Sequence, residues 1–265
     1  MMSLLGTAED LVFDRDYPYE SRFGTYLCRL VEHMDRAPGS IAGWDSGVLL
    51  EGQSNLVGPI PFRTTLIDRH DLRRRATAHL WAAFGESVEA AGISARFYAE
   101  KAWGPAVDLM EDAGIRTRVI NLVRDPRDII ASIQAFDRKR GFHGFGRVAG
   151  QSDDEYLDVI LSTIRKNLER MRFQEKTTDA VWVRYEDLVT DRAAVSGRIA
   201  TWLDIALDPA AADLSRADHN RHTTSSDPAT SIGRWRRDLA EPAVRRIEDA
   251  LANEMRMLGY LTARK

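Results

Sequence analysis

Cysteine is almost absent from the sequence, and several other features that would define a class of protein are missing as well. The single thiol, Cys28, excludes an intrachain disulfide and the paired cysteines of a structural zinc site. The net charge is only −3, so the charge does not predict nucleic-acid binding. No apolar run is long enough to span a membrane, and Met1–Leu5 is too short for a signal peptide. These absences predict a cytoplasmic protein.

The order of apolar segments indicates the fold class. The 265 residues are enough for one α/β domain with a complete core. Short apolar segments alternate with longer amphipathic ones, which predicts a parallel sheet covered by helices on both faces, in a single domain of residues 1–265. The predicted strands are 97–101, 118–123 and 181–184, and the main predicted helices are 23–34, 64–91, 104–113, 153–174, 191–204 and 242–258.

The segment 118–132 predicts an anion-binding turn between a strand and a helix. Its first six residues are mostly apolar, as in a central parallel strand, and Arg124 follows at the carboxyl end, where open α/β sheets bind ligands. Asp125 and Pro126 form a typical helix start, and Ser132 lies two turns into that helix. Because helical side chains point toward the N-terminus, we expect a guanidinium, a hydroxyl and a helix N-terminus to converge on one anion.

This pattern resembles the 3′-phosphate-binding motif of sulfotransferases that use 3′-phosphoadenosine 5′-phosphosulfate (PAPS). In that family an arginine ends a strand and a serine follows eight residues later, as Arg124 and Ser132 do here. The resemblance implies a P-loop-like α/β fold, PAPS as the co-substrate, no metal, and a 3′-phosphate held by these two side chains. A generic strand–turn–helix with surface arginines is the alternative interpretation of this motif taken alone.

Two further segments resemble the same family. The Arg-Tyr-Glu-Asp-Leu segment at 184–188 implies that Tyr185 contacts the adenine. The segment 231–237 is similar to the C-terminal Gly-Arg-Trp element of bacterial members, which closes over the 3′-phosphate end and implies roles for Arg234 and Trp235. A solvated basic loop is the alternative, and the neighbouring arginines at 236 and 237 are expected to face solvent.

The chemistry of sulfuryl transfer requires cations around the moving group and a base for the acceptor hydroxyl. Lys101 matches the family's Glu-Lys segment near the sulfuryl group, although an ordinary Glu–Lys surface pair fits the same residues. The base in the family is a His or a Glu, and in its tyrosylprotein branch an acid shortly after the first helix. The candidates for the base are Asp16 first, then Glu20 and Asp14, with the loop histidines His143 and His222 as further options.

The sequence departs from the family at its N-terminus. It contains neither the family's Pro-Arg-Ser-Gly-Thr-Thr phosphate loop, which grips the 5′-phosphosulfate, nor a Gly-Lys-Ser/Thr loop. We therefore expect the first strand and phosphate loop to be missing, and the chain to start inside the helix that follows them. Typical element lengths put the missing part at roughly 20 residues. A misplaced start codon and a real deletion are both compatible with this expectation.

Three functions remain open from the sequence. The first is a PAPS-dependent sulfotransferase that acts on a hydroxyl of a small-molecule acceptor, with the glycine-rich segments 38–61 and 137–152 as candidate acceptor loops. The second is a catalytically impaired remnant that still binds 3′-phosphoadenosine. The third, another P-loop-like phosphotransferase, is disfavoured because no Walker lysine is present. No nucleic-acid or membrane partner is expected, and the oligomeric state is left open.

Overall fold

The computed structural model describes residues 1–15, 19, 22–35, 68–102, 104–212, 224–225 and 227–262. In chain order the elements begin with α1 (Met2–Leu5), β1 (Leu11–Val12), α2 (Phe23–Asp35), α3 (Arg69–Ala90), β2 (Phe97–Tyr98) and α4 (Gly104–Asp112). They continue with β3 (Arg118–Val123), α5 (Pro126–Arg140), α6 (Asp153–Thr177), β4 (Asp179–Arg184), α7 (Tyr185–Thr190) and α8 (Arg192–Leu203). A 3₁₀ turn (Pro228–Ser231) then leads into α9 (Trp235–Asp238), α10 (Glu241–Ala250) and α11 (Ala252–Met257).

The strands pair in parallel, and helices separate them along the chain. β1 pairs with β2, and β3 pairs with β4 over six residues, from Arg118 opposite Asp179 to Val123 opposite Arg184. Parallel pairing with helical crossovers confirms the predicted α/β class. The contacts divide the chain into two compact units, residues 10–117 and residues 1–9 with 118–265, which are described separately.

The unit of residues 10–117 packs three helices around an apolar cluster. α2 contacts both α3 and α4, and Cys28 is buried in the core between α2 and α4. The Glu100 carboxylate, just after β2, accepts the backbone N–H groups of Gly24 and Thr25 at 2.8 and 3.1 Å. It thereby satisfies amide groups in the first turn of α2 that have no partner within the helix.

The unit of residues 1–9 and 118–265 has its core beside the β3–β4 pair. One buried cluster of this core combines α5, α6, α10, α11 and the residue between the last two helices: Ile130, Leu161, Ile247, Leu251 and Met255. α6 packs against β4, and α10 packs against α5. The predicted single helix 242–258 is interrupted at Leu251, whose backbone leaves the helical region (φ −117°, ψ 24°) while its side chain stays fully buried.

Helix α5 begins and ends at residues that the sequence marks clearly. Asp125 is its N-cap, Pro126 is its first residue, and Gly141 ends it in the left-handed region with φ 72°. Its last turn carries three basic residues, which the negative end of the helix dipole favours. The predicted loop 137–152 is therefore too long at its start, because residues 137–140 are still helical.

β3 is less uniformly buried than its apolar sequence predicts. Leu122 is 39% exposed, whereas the neighbouring Asn121 is only 3% exposed. Alternate residues of a strand point to opposite faces, so the face that carries Leu122 is only partly covered. The opposite face, with Asn121 and Val123, is the buried one.

Candidate functional site

Two predicted site residues lie side by side because their strands are neighbours. The last residues of β3 and β4, Val123 and Arg184, are opposite each other, so the next residues, Arg124 and Tyr185, leave the same edge of the pair. The Arg124 guanidinium carbon lies 4.6 Å from the centre of the Tyr185 ring. The cation is thus stacked on an aromatic face beside the two strand ends.

The 3₁₀ turn at 228–231 completes this corner of the site. Arg124 Nη2 donates to the backbone oxygen of Ser231 at 2.7 Å. Ser231 Oγ donates to Pro228 O at 2.6 Å, so the Tyr185 hydroxyl, 3.1 Å away, must be the donor to Ser231 Oγ. Arg124 Nε is buried and has no hydrogen-bond acceptor in the described part of the chain. A buried guanidinium N–H without an acceptor is a position where a ligand oxygen would be stabilised.

Asp128 connects helix α5 to the turn that carries Arg234 and Trp235. Its side chain is 1% exposed, and its two oxygens accept the backbone N–H groups of Gly233 at 2.6 Å and of Trp235 at 3.0 Å. Burial raises the pKa of the Asp128 carboxyl, and the two N–H donors and the Arg124 charge oppose that shift only in part. Glycine suits position 233 because φ is 69°, a conformation that strains residues with a Cβ.

Ser132 lies one helical turn after Asp128, on the same face of α5. Its side chain is half-buried, and its hydroxyl makes no hydrogen bond to any other described residue. The rise of an α-helix places Ser132 about 9 Å along the axis from Pro126. Its joint contact with a phosphate bound by Arg124 therefore stays a prediction.

The N-terminus of α5 differs from the expectation. It was predicted to donate to the bound anion, but Asp125 Oδ1 already accepts the Arg127 backbone N–H at 2.9 Å. The Asp125 carboxylate also pairs with the Arg127 guanidinium at 2.6 Å, and both side chains are buried. An N-cap acid supplies its own negative charge to the helix end, so this amide is not available to an external phosphate.

A second polar network ties the C-terminal segment to the strand ends. Glu186 Oε1 accepts the Asp125 backbone N–H at 3.0 Å, and Glu186 Oε2 accepts the Tyr260 hydroxyl at 2.8 Å. Burial, together with the neighbouring carboxylate, raises the pKa of Tyr260, so the phenol remains a donor. Arg127 reaches Glu248 in α10 at 2.5 Å. These contacts hold the start of α5, the start of α7 and the C-terminal segment together next to the two strand ends.

Arg234 and Trp235 are placed differently from each other. Arg234 is 8% exposed, with its guanidinium paired with Asp238 at 2.7 Å and bonded to Thr224 Oγ1 at 2.8 Å. Trp235 is half-buried, and the guanidinium carbons of Arg127 and Arg236 lie 4.0 and 4.5 Å from its ring centre. The expected exposure of the arginines at 236 and 237 is confirmed. The cofactor contacts of Arg234 and Trp235 stay predictions.

The candidates for the chemical step lie in other parts of the chain. Lys101 and Asp14 are exposed residues of the 10–117 unit, and the Lys101 ammonium lies 5.8 Å from the Tyr19 ring centre. His143 lies in the loop after α5 and is exposed, with its Nδ1 3.5 Å from Oδ2 of Asp137 in the last turn of that helix. Asp16, Glu20, His222 and the candidate acceptor loop 38–61 lie outside the described residues.

Sequence reasoning missed three residues that shape this site: Asp128, Glu186 and Ser231. An acid in the first turn of a helix is ordinarily explained by the helix dipole, which concealed the long-range partners of Asp128. Glu186 belonged to the recognised Arg-Tyr-Glu-Asp-Leu segment, but only its tyrosine had been singled out. Ser231 had no signal, since its role depends on a contact with Arg124, 107 positions away.

The fold and this site together define an α/β protein with parallel strands and an arginine-centred polar cluster at two neighbouring strand ends. The family model described as "Sulfotransferase family" matches residues 68–209, which is more than half of the chain. The chain therefore belongs to the sulfotransferase family, a family of transferases.

Curated relatives are similar over more than half of the chain. Carbohydrate sulfotransferase 7 of Mus musculus is 29% identical over 204 residues, which cover 59% of this chain and 42% of that protein. Carbohydrate sulfotransferase 3 of Mus musculus is 25% identical over 173 residues, which cover 59% of this chain and 36% of that protein. The matched region is thus about two fifths of each relative's length.

Two solved structures are similar over most of the chain at low sequence identity. The sulfotransferase domain from the Synechococcus PCC 7002 olefin synthase is 16% identical with a TM-score of 0.48, covering 94% of this chain and 88% of that one. The sulfotransferase domain from the curacin biosynthetic pathway is 15% identical with a TM-score of 0.49, covering 94% of this chain and 91% of that one. Among the described residues no helix is long and apolar enough to cross a membrane.

Proposed function

We propose that the protein transfers a sulfuryl group from PAPS to a hydroxyl of a small-molecule acceptor. The observation that carries this proposal is the buried Arg124 Nε at the end of β3, which has no acceptor in the described part of the chain and lies beside the Tyr185 ring. A guanidinium at the rim of a parallel sheet suits a phosphate, and an adjacent aromatic ring suits a purine. Membership of the sulfotransferase family supplies the reaction type.

In this proposal the cofactor and the reaction use different groups of the chain. Arg124 and Ser132 hold the 3′-phosphate, and Tyr185 contacts the adenine. The bond between sulfur and the bridging oxygen of the phosphosulfate breaks, and a bond forms between sulfur and the acceptor oxygen. The acceptor proton passes to Asp16 or Glu20, while Lys101 stabilises the charge that develops on the transferred group. The leaving product is adenosine 3′,5′-bisphosphate.

The acceptor is proposed as a class rather than as a compound. Two relatives are named carbohydrate sulfotransferases, so sugar hydroxyls belong in a first panel beside phenols and simple alcohols. Segments 38–61 and 137–152 are proposed to contact the acceptor. The described part of the second segment presents Phe142, Phe145 and Val148 to solvent, each more than half exposed. We also propose that the reaction takes place in the cytosol.

The test is transfer of labelled sulfate from PAPS to this panel by the wild type, Arg124→Ala and Arg198→Ala. Arg198 is the matched control because its guanidinium also donates to a backbone oxygen, that of Trp182, at 3.0 Å. We expect transfer by the wild type and Arg198→Ala at equal rates, with a marked loss in Arg124→Ala. Equal transfer by all three proteins would contradict the proposed site.

A further inference from the structure

The strongest unexplained feature beside the proposed phosphate site is the Asp128 carboxylate. It is among the most deeply buried charged side chains of the described residues, and both of its oxygens accept N–H groups from a single turn about one hundred residues away. Burying a carboxylate is costly unless its lone pairs are satisfied, and here two N–H groups of the turn satisfy them. The carboxylate therefore ties the turn to α5, which an apolar side chain at this position could not do.

The turn held by Asp128 also determines where the Arg124 guanidinium lies. Arg124 Nη2 donates to Ser231 O at 2.7 Å, at the start of the turn, while Asp128 holds Gly233 and Trp235. The backbone between these points is short and contains the left-handed Gly233. Moving the Asp128 anchor would therefore move Ser231 O and release one of the contacts that orient Arg124.

We propose that Asp128 is a positioning residue for the 3′-phosphate of the cofactor. It fixes the 231–235 turn against α5, and the turn orients Arg124 so that its unpartnered Nε faces the ligand. Asp128 does not touch the phosphate, since both of its oxygens are already occupied by N–H donors. This inference rests on the proposed function, because it concerns the cofactor site described there.

The central variant is Asp128→Asn, which keeps the shape of the side chain but loses one of the two acceptor oxygens. One backbone N–H of the turn then faces an NH₂ group instead of an oxygen. The matched control is Glu111→Gln, because the Glu111 carboxylate also anchors a loop, accepting the Thr117 backbone N–H at 2.8 Å, and belongs to no proposed site. Both variants weaken a loop anchor, but only one anchor belongs to the cofactor site.

The readout is the affinity gain from the 3′-phosphate: the ratio of the Kd for adenosine 5′-phosphate to the Kd for adenosine 3′,5′-bisphosphate. In Asp128→Asn we expect this ratio to fall by roughly 10- to 100-fold, with the affinity for adenosine 5′-phosphate unchanged. In Glu111→Gln we expect the wild-type ratio. A merely structural role for Asp128 would lower both affinities by the same factor, and that result would overturn the proposal.

A second variant tests the same link from the other side of the contact. Gly233→Ala leaves Asp128 intact but strains the turn, because φ is 69°. We expect the same selective loss of the 3′-phosphate gain. An unchanged gain in Gly233→Ala would overturn the proposal even if Asp128→Asn failed to fold.

Hydrogen exchange separates this proposal from the proposed function. Without any ligand, the Gly233 and Trp235 amides of Asp128→Asn should exchange at least about tenfold faster than in the wild type, since their acceptor is weakened. Unchanged exchange at both amides would show that Asp128 does not hold the turn. If exchange rises but the wild type gains no affinity from a 3′-phosphate, the cofactor assignment itself has failed, and the positioning role fails with it.

Discussion

Arg124 and Arg127 are three positions apart, yet their guanidinium groups have very different surroundings. Arg127 is saturated, with Asp125 at 2.6 Å, Glu248 at 2.5 Å and the Trp235 ring beside it. Arg124 forms no ion pair among the described residues, although its charge acts on Asp128: it bonds to one backbone oxygen and stacks on Tyr185. A saturated arginine serves the fold, whereas one with a spare buried donor is suited to a ligand.

The pair of Arg234 and Asp238 should make stability depend on pH. Burial alone would raise the pKa of Asp238, but hydrogen bonds from Arg234 and Arg237 outweigh it and hold that pKa below its ordinary value of 3.8. A carboxyl with a lowered folded pKa contributes stability that is present above the unfolded value and is lost as the pH falls below it. Asp238→Asn should therefore destabilise the protein at pH 7 and lose this effect below pH 3.8.

Denaturant unfolding at several pH values measures this difference. Asp249→Asn is the control, because Asp249 is an exposed carboxylate of α10 with no partner among the described residues. A destabilisation by Asp238→Asn that stays constant from neutral to acidic pH would contradict the ion-pair explanation.

The identity of the base is a prediction for Asp16 and Glu20. If either takes the acceptor proton, Asp16→Asn or Glu20→Gln should lower kcat while the affinity for adenosine 3′,5′-bisphosphate stays at the wild-type value. That separation is expected for a group used in the transition state and not in cofactor binding. Steady-state kinetics and calorimetry on both variants check it. A wild-type kcat in both variants would show that neither residue is the base, and would leave His143 and His222 as the candidates.

At the scale of elements, strand β3 carries an unusual buried amide. Asn121 is 3% exposed, and its Nδ2 has no hydrogen-bond acceptor among the described residues. An unsatisfied buried donor costs about 1–3 kcal/mol, and valine is of similar size and favours strands. We expect Asn121→Val to raise the free energy of unfolding by about 1 kcal/mol in urea denaturation. A lower free energy would mean that the amide has a partner in the folded protein.

The elements themselves were largely predictable from local patterns. Helix α5 begins at Asp125 and Pro126 as predicted, because an N-cap acid followed by proline defines a helix start almost independently of context. The parallel pairing of β3 with β4 also follows from apolar runs separated by helices. The break at Leu251 was not predictable, since the apolar periodicity continues through it and only packing in the core interrupts the helix.

The site was predictable only where its residues lie beside each other on the chain or on adjacent strand ends. Arg124 was singled out because it directly follows a predicted strand, and Tyr185 because its segment resembles the family's Arg-Tyr-Glu-Asp-Leu motif. The occupation of the α5 N-terminus by Asp125 was missed, because the same acid that marks a helix start also uses one of its amide donors. Asp128 was missed because its partners lie 105 and 107 positions away.

At the scale of the whole molecule, cofactor binding should stabilise the folded state. A ligand that binds only the native protein adds RT ln(1 + [L]/Kd), or about 2.7 kcal/mol at a hundredfold excess over Kd. We expect adenosine 3′,5′-bisphosphate to raise the melting temperature in a concentration-dependent way, and adenosine to raise it much less. Equal shifts with both compounds would show that no phosphate site contributes.

The central claim is that Arg124 binds the 3′-phosphate, and calorimetric titration with adenosine 3′,5′-bisphosphate tests it most directly. A hydrogen bond to a charged group contributes on the order of 1.5–3 kcal/mol, so Arg124→Ala should raise the Kd by roughly 10- to 150-fold. Ser132→Ala should raise it by a smaller factor. An unchanged Kd in Arg124→Ala, with the fold shown to be intact by circular dichroism, would contradict the account.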